Sequence, residues 1–174
     1  ISFTTIHGTE PGKSVKANFD QYGLRSRLMD LAVLDQAHSP IRINFSLFDS
    51  IVCDPPYGVR AGARQVGPRD QPISGKKKTV HFPHCVPYGI PEMLEDLLCS
   101  SARMLRIGGR LVFWMPSTIE YKESDLPRHP CFRLVGNSLQ QITLRWGRRL
   151  VTMEKVSEFD PAVHSKLTPE QLGQ

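Results

Sequence analysis

Asp54-Pro55-Pro56-Tyr57 sets a carboxylate, two stiff backbone units and an aromatic ring in consecutive positions. An exocyclic amine on a nucleobase is a poor nucleophile, because its lone pair is delocalised into the ring. Acceptors placed against its N–H bonds pull the nitrogen toward pyramidal geometry and aim it at an incoming electrophile. The Asp54 carboxylate is one such acceptor. A backbone carbonyl in the Pro55-Pro56 stretch is another, held stiff by the proline rings. Tyr57 offers a flat face on which an extruded base can stack. The competing reading is a plain turn, since Asp before Pro is common in turns and Tyr also fills cores. Context favours the chemical reading, because the motif follows a buried-strand candidate and opens onto a basic stretch.

That stretch carries the whole net charge of +5. Residues 58–90 hold six of the 22 basic residues (Arg60, Arg64, Arg69, Lys76, Lys77, Lys78) and one of the 17 acidic ones, Asp70, so charges balance elsewhere. Concentrated in this way, they point to a polyanionic partner, with Arg60 and Arg64 nearest the motif and the three lysines farther out. A solvated loop is the alternative. Five glycines and four prolines make residues 58–90 read as one long loop. Arg148-Arg149 could meet phosphate, but reads more readily as a solvated pair. Trp114 reads as core before stacking platform.

These residues need elements to position them. A helix is expected from Ser14 to Tyr22, where Val15, Phe19 and Tyr22 fall at helical spacing and Gly23 suits the C′ position. Leu28–Leu34 and Phe48–Cys53 are strand-length apolar runs, the second closed by Asp-Pro-Pro. Pro91 opens the clearest helix, with Leu94, Leu97, Leu98, Ala102 and Leu105 as its stripe, Arg103 and Arg106 in its last turn and Gly108-Gly109 as its stop. Gly108-Gly109 precedes a strand, so it is no phosphate loop. Arg110–Met115 reads as a strand closed by Pro116, and residues 132–140 and 148–156 as an antiparallel pair. This order is α/β, a parallel sheet finished by an antiparallel edge. Ligands in such sheets sit beyond the carboxyl ends of the strands, so Asp35, Asp54 and Pro116 should border one cleft.

A chain of 174 residues makes one domain, with the polar stretch 157–174 expected as a disordered tail. No apolar run approaches the roughly 18 residues of a membrane span, and no signal peptide is evident. Four dispersed cysteines (Cys53, Cys85, Cys99, Cys131) read as small buried hydrophobes of a reducing compartment. His81, His84 and Cys85 match no structural zinc pattern, so no metal is expected. The first residue is Ile1 and not Met, which reads as a fragment or a processed chain.

Taken with its preceding strand, the Asp-Pro-Pro-Tyr motif resembles motif IV of Rossmann-like amino-methyltransferases. A larger set is similar to the eukaryotic tRNA guanine-N2-methyltransferases that modify guanine 10. It comprises Asn18 with Gln21–Leu24, Asp54–Arg60, Arg64, Gly108–Pro116, His129-Pro130-Cys131 and Arg148–Lys155, within about residues 5–156. The resemblance implies a class I methyltransferase sheet lacking its N-terminal part, with residues 1–156 a partial S-adenosylmethionine-dependent domain. It implies S-adenosylmethionine as donor, with Asp35 near the adenine, Asp54 also at the cofactor, and Asp54-Pro55-Pro56-Tyr57 on the guanine amine. It further implies tRNA as substrate, a cytoplasmic setting, and a small zinc-binding activator subunit at the sheet edge near Leu28–Leu34. The chain shows neither a G-x-G turn after a first strand nor an acid for the ribose hydroxyls, Glu10 being a remote candidate, and no tRNA-docking domain. Two other readings stay open. One is a DNA adenine-N6 or cytosine-N4 amino-methyltransferase, which uses the same grip; the other is a non-catalytic RNA-binding fragment without a cofactor motif.

Overall fold

Ser14 has the short oxygen-bearing side chain that a helix start needs, and helix α1 (Val15–Gln21) follows it. Its Oγ accepts from the Ala17 N–H at 3.0 Å. The computed structural model describes residues 14–32, 46–56, 64–66, 85–87 and 89–164, and the chain divides into two units, Ile1–Pro40 and Ile41–Gln174. In the first, Gly23 takes the left-handed conformation at φ 66° that ends α1, and a 3-10 turn follows at Arg25–Arg27. The strand expected over Leu28–Leu34 is not formed in its described part: residues 28–32 are irregular. The Asp30 carboxylate there accepts from the Leu31 N–H at 2.7 Å, a local bond that competes with a ladder.

In the second unit, β1 (Phe48–Cys53) has the bounds expected. The stretch 58–90, read as loop throughout, instead contains two short strands. β2 (Arg64–Val66) and β3 (Cys85–Pro87) pair antiparallel with Arg64 opposite Pro87. Helix α2 (Ile90–Met104) starts as expected, with Pro91 in its first turn and Glu92 facing the N-terminal dipole.

It ends earlier than Gly108-Gly109. β1 claims the backbone there: Leu105 pairs with Phe48, and the Leu47 N–H donates to the Met104 carbonyl at 2.9 Å. Two steps along β1, Phe48 to Ser50, then span five along β4, Leu105 to Arg110. Gly108, at φ 79°, turns inside this bulge. A Cβ on Gly109 would lie 2.8 Å from the Arg106 carbonyl oxygen and 3.1 Å from that of Asp49, so only glycine fits the approach.

Strand β4 (Leu105–Thr118) passes through Pro116, which was expected to close it. Its parallel pairing with β1 stops at Phe113, so among the described residues β4 is paired beyond that point on the β6 side only, where proline is tolerated. β5 (Phe132–Gln141) and β6 (Trp146–Lys155) form the antiparallel pair expected. The sheet order is β1-β4-β6-β5, so β1, β4 and β5 share one direction and β6 runs against them. The α/β class read from the element order is the class observed.

The apolar stripe of α2 (Leu94, Leu97, Leu98, Ala102) and alternate residues of the sheet (Leu111, Phe113, Met115, Val151, Met153) form the core. Each fully buried Leu or Phe contributes roughly 1.5–3 kcal/mol over its exposed state. Lys155 is buried at the end of β6, where its Nζ donates to the Leu105 carbonyl at 2.8 Å and pairs with Glu158 at 3.3 Å. Contacts continue past β6. Phe159 stacks on His129 at 6.1 Å with the Arg103 guanidinium 4.7 Å from its ring centre, before the single turn α3 (Pro161–His164). The polar composition from Ser157 onward, read as a disordered tail, hid this aromatic anchor; residues 165–174 lie outside the described residues. Among the described residues, no helix is long and apolar enough to cross a membrane.

Gly109→Ala should destabilise the protein by about 1–3 kcal/mol, because two backbone carbonyls must give way to one methyl. Thermal or denaturant unfolding measures it, and an unchanged midpoint would contradict the close approach.

Candidate active site

Pro55 and Pro56 end β1, and the next side chain past Cys53 is the Asp54 carboxylate. Cys53 pairs with Phe113, so Asp54 stands one step past β1 as Trp114 stands one step along β4. The Asp54 side chain is 58% exposed, open to a ligand. Trp114 and Pro116 share one sheet face by the two-residue period. Arg148 on β6 lies opposite Pro116, and Gln140 on β5 lies opposite Arg148, so all four residues face the same way.

Trp114 and Gln140 hold Arg148, and Arg148 reaches toward the carboxylate. The Arg148 guanidinium carbon sits 4.0 Å from the Trp114 ring centre, and Arg148 Nε donates to Gln140 Oε1 at 2.6 Å. Arg148 Nη1 lies 3.9 Å from Asp54 Oδ2, within ion-pair range but beyond a hydrogen bond. Arg149, pointing to the opposite face, is engaged elsewhere. Its Nε donates to Ser117 Oγ at 3.1 Å, its Nη1 to Asn137 Oδ1 at 3.3 Å, and its guanidinium lies 3.7 Å from the Tyr121 ring centre.

The solvated arginine pair of the sequence reading is therefore two different things: a brace in Arg149, and in Arg148 a neighbour of the motif. Trp114 is half-buried with a cation on its face, so the core reading covers only part of it. The signal was present in the strand pair, since a hairpin over 132–140 and 148–156 sets Gln140 across from Arg148.

Of the other expected site residues, Asp35, Tyr57, Arg60, Lys76, Lys77 and Lys78 lie outside the described residues. Arg64 is placed by its backbone in β2. Of the three residues expected to border one cleft, Asp35 lies outside the described residues, Asp54 follows β1, and Pro116 lies inside β4 opposite Arg148. His81 and His84 also lie outside the described residues. As a test of fit for a cationic methyl donor, a half-exposed carboxylate at a strand's carboxyl end is a suitable neighbour for positive charge.

Cys53, beside Asp54, is a partly buried free thiol. Burial, assisted by the Asp54 charge, pushes its thiol up to about 11. Burial, with Glu95 nearby, likewise pushes Cys99 up to about 11.

Whole-sequence comparison gives the same direction as the motifs. The chain is 47% identical over 168 residues to a tRNA (guanine(10)-N(2))-methyltransferase of Dictyostelium discoideum, covering 92% of this chain and 33% of that protein. It is 38% identical to the protein of the same name from Rattus norvegicus, covering 99% of this chain and 40% of the relative. The Schizosaccharomyces pombe protein is 40% identical, covering 91% and 34%. The resemblance read from residues 5–156 is thus borne out across the chain, which spans about a third to two-fifths of the length of these relatives. No family model and no solved structure matches.

The raised thiols set a pH dependence. Unfolded thiols ionise near 9.0 while folded Cys53 and Cys99 stay protonated to about 11. Their contribution to stability is therefore complete below pH 9 and is lost as pH rises through 11. At pH 8.5, iodoacetamide should alkylate both far more slowly in the folded protein than in urea. Equal rates, read by mass spectrometry, would contradict their burial.

Proposed function

We propose that this chain is the amine-gripping portion of a tRNA guanine-N2-methyltransferase, acting on guanine 10 with S-adenosylmethionine as donor. The observation that carries the reading is identity of 37–47% to enzymes of that name, across nine-tenths of a chain that presents an exposed Asp54 at the carboxyl end of β1.

On this reading Asp54 Oδ atoms and a carbonyl of Pro55-Pro56 accept from the guanine N2 hydrogens, which localises the lone pair and directs it. Proline rings hold that carbonyl fixed, so no reorganisation is needed when charge develops on the nitrogen. Tyr57 stacks on the extruded base. S-adenosylmethionine supplies an electrophilic methyl on a sulfonium, with Asp35 beside its adenine and Asp54 near its positive charge. The amine gains positive charge as it is methylated, and Asp54 is the anion placed to stabilise it and to receive the proton released.

Arg60, Arg64, Lys76, Lys77 and Lys78 meet the tRNA backbone on either side of the base. A small zinc-binding activator subunit and a cytoplasmic setting, away from membranes, complete the proposal by likeness to the family.

In the complete gene product, Asp54→Ala should lower methyl transfer to tRNA by about 10²–10³-fold, the effect of removing one positioned group, with thermal stability and tRNA affinity nearly unchanged. Activity within tenfold of wild type would mean that another group holds the amine. Replacing Lys76, Lys77 and Lys78 together by alanine should flatten the slope of log affinity against log salt by about two. An unchanged slope would leave these lysines in solvent.

A further inference from the structure

An acceptor for the amine does not by itself hold a base flat in a cleft, because a planar ring needs surfaces on its two faces. The residues around Asp54 offer such a surface. Arg148 lies over the Trp114 ring at 4.0 Å, its Nε is tied to Gln140 Oε1 at 2.6 Å, and its Nη1 points toward Asp54 Oδ2 at 3.9 Å. Two edges of the guanidinium are thus engaged, and its carbon lies over the indole ring. The side chain remains 30% exposed.

We propose that the outer face of Arg148, backed by Trp114, is a stacking platform for the target nucleobase while its amine meets Asp54. The inference rests on the function proposed above and adds a binding surface to it.

Three features favour a base over a backbone phosphate at this position. A guanidinium is weakly hydrated and planar, and unstacked bases settle on such planes as they do on aromatic rings. A phosphate is gripped by the N–H edges of arginine, often two at once, whereas here Nε is already engaged and Nη1 is turned to a carboxylate. That carboxylate also repels a phosphate. The 3.9 Å separation matters as well: Arg148 and Asp54 share charge without a hydrogen bond between these atoms, so an amine approaching Asp54 breaks no such bond to Arg148. Gln140 and Trp114, coming from β5 and β4, fix the plane from two directions, which limits the ordering that the incoming base must impose.

The test separates plane from charge. In the complete gene product, Arg148→Lys keeps the charge beside Asp54 and loses the plane, whereas Arg148→Gln keeps a planar amide and loses the charge. The platform predicts that Arg148→Lys and Arg148→Ala each lower kcat/KM for tRNA methylation by roughly ten- to a hundredfold, the range of one lost base stack. It also predicts that Arg148→Gln retains more activity than Arg148→Lys, with thermal midpoints close to wild type in every variant compared. The opposite order, lysine above glutamine, would overturn the platform in favour of a charge contact to phosphate or to Asp54. So would full activity in Arg148→Ala. If glutamine does not fold, Arg148→Lys decides alone, near-wild-type activity refuting the proposal. Absence of methyl transfer to tRNA by the wild-type protein would instead overturn the function itself, and the platform with it.

Discussion

Proline has no N–H to give a ladder, and two in succession end a strand absolutely. Pro55 and Pro56 stop β1 after Cys53, and its pairing with β4 therefore stops at Phe113. Much of the site depends on that stop. Among the described residues it leaves β4 bonded on one side from Trp114 onward, which lets Pro116 sit inside a strand near where Arg148 reaches across to Asp54. A longer β1 would cover this ground with backbone.

The sheet around that opening is braced at both ends. At one, β1 draws Leu105 out of α2 and forces the glycine bulge at Gly108 and Gly109. Lys155, buried at the end of β6, donates to the Leu105 carbonyl and so joins β6 to the same point. At the other, Arg149 joins β4, β5 and Tyr121 through two hydrogen bonds and a ring contact. Two adjacent arginines with identical chemistry thus have different parts, because neighbouring residues on a strand point to opposite faces. Arg149 is a tie within the fold; Arg148 faces the motif.

Electrostatics around Asp54 follows the same geometry. The carboxylate has a cation within 3.9 Å and remains more than half exposed. The partly buried thiol before it is pushed toward its neutral form, so Cys53 adds no second negative charge there. An exposed anion beside a stacked cation suits a reaction in which positive charge develops on a neutral amine.

Local chemistry was legible in the chain itself. The bounds of β1, the cap at Ser14, the stripe of α2 and the β5–β6 pair all follow from side-chain period and from what proline, glycine and serine do to a backbone. The close of β1 before Asp54-Pro55-Pro56 was legible for the same reason, since the missing N–H of proline is a local property. Where partners come from far along the chain, local rules gave way. Helix α2 stops at Met104 because β1, more than 40 residues earlier, takes the backbone of Leu105. Residues 28–32 form no strand although their apolar run has the length for one, since a strand exists only by pairing. Composition also could not tell that Phe159 closes over His129, or that Arg148 and Arg149 differ. Tertiary structure decided these, because register and face depend on which strands become neighbours, and no single segment contains that information.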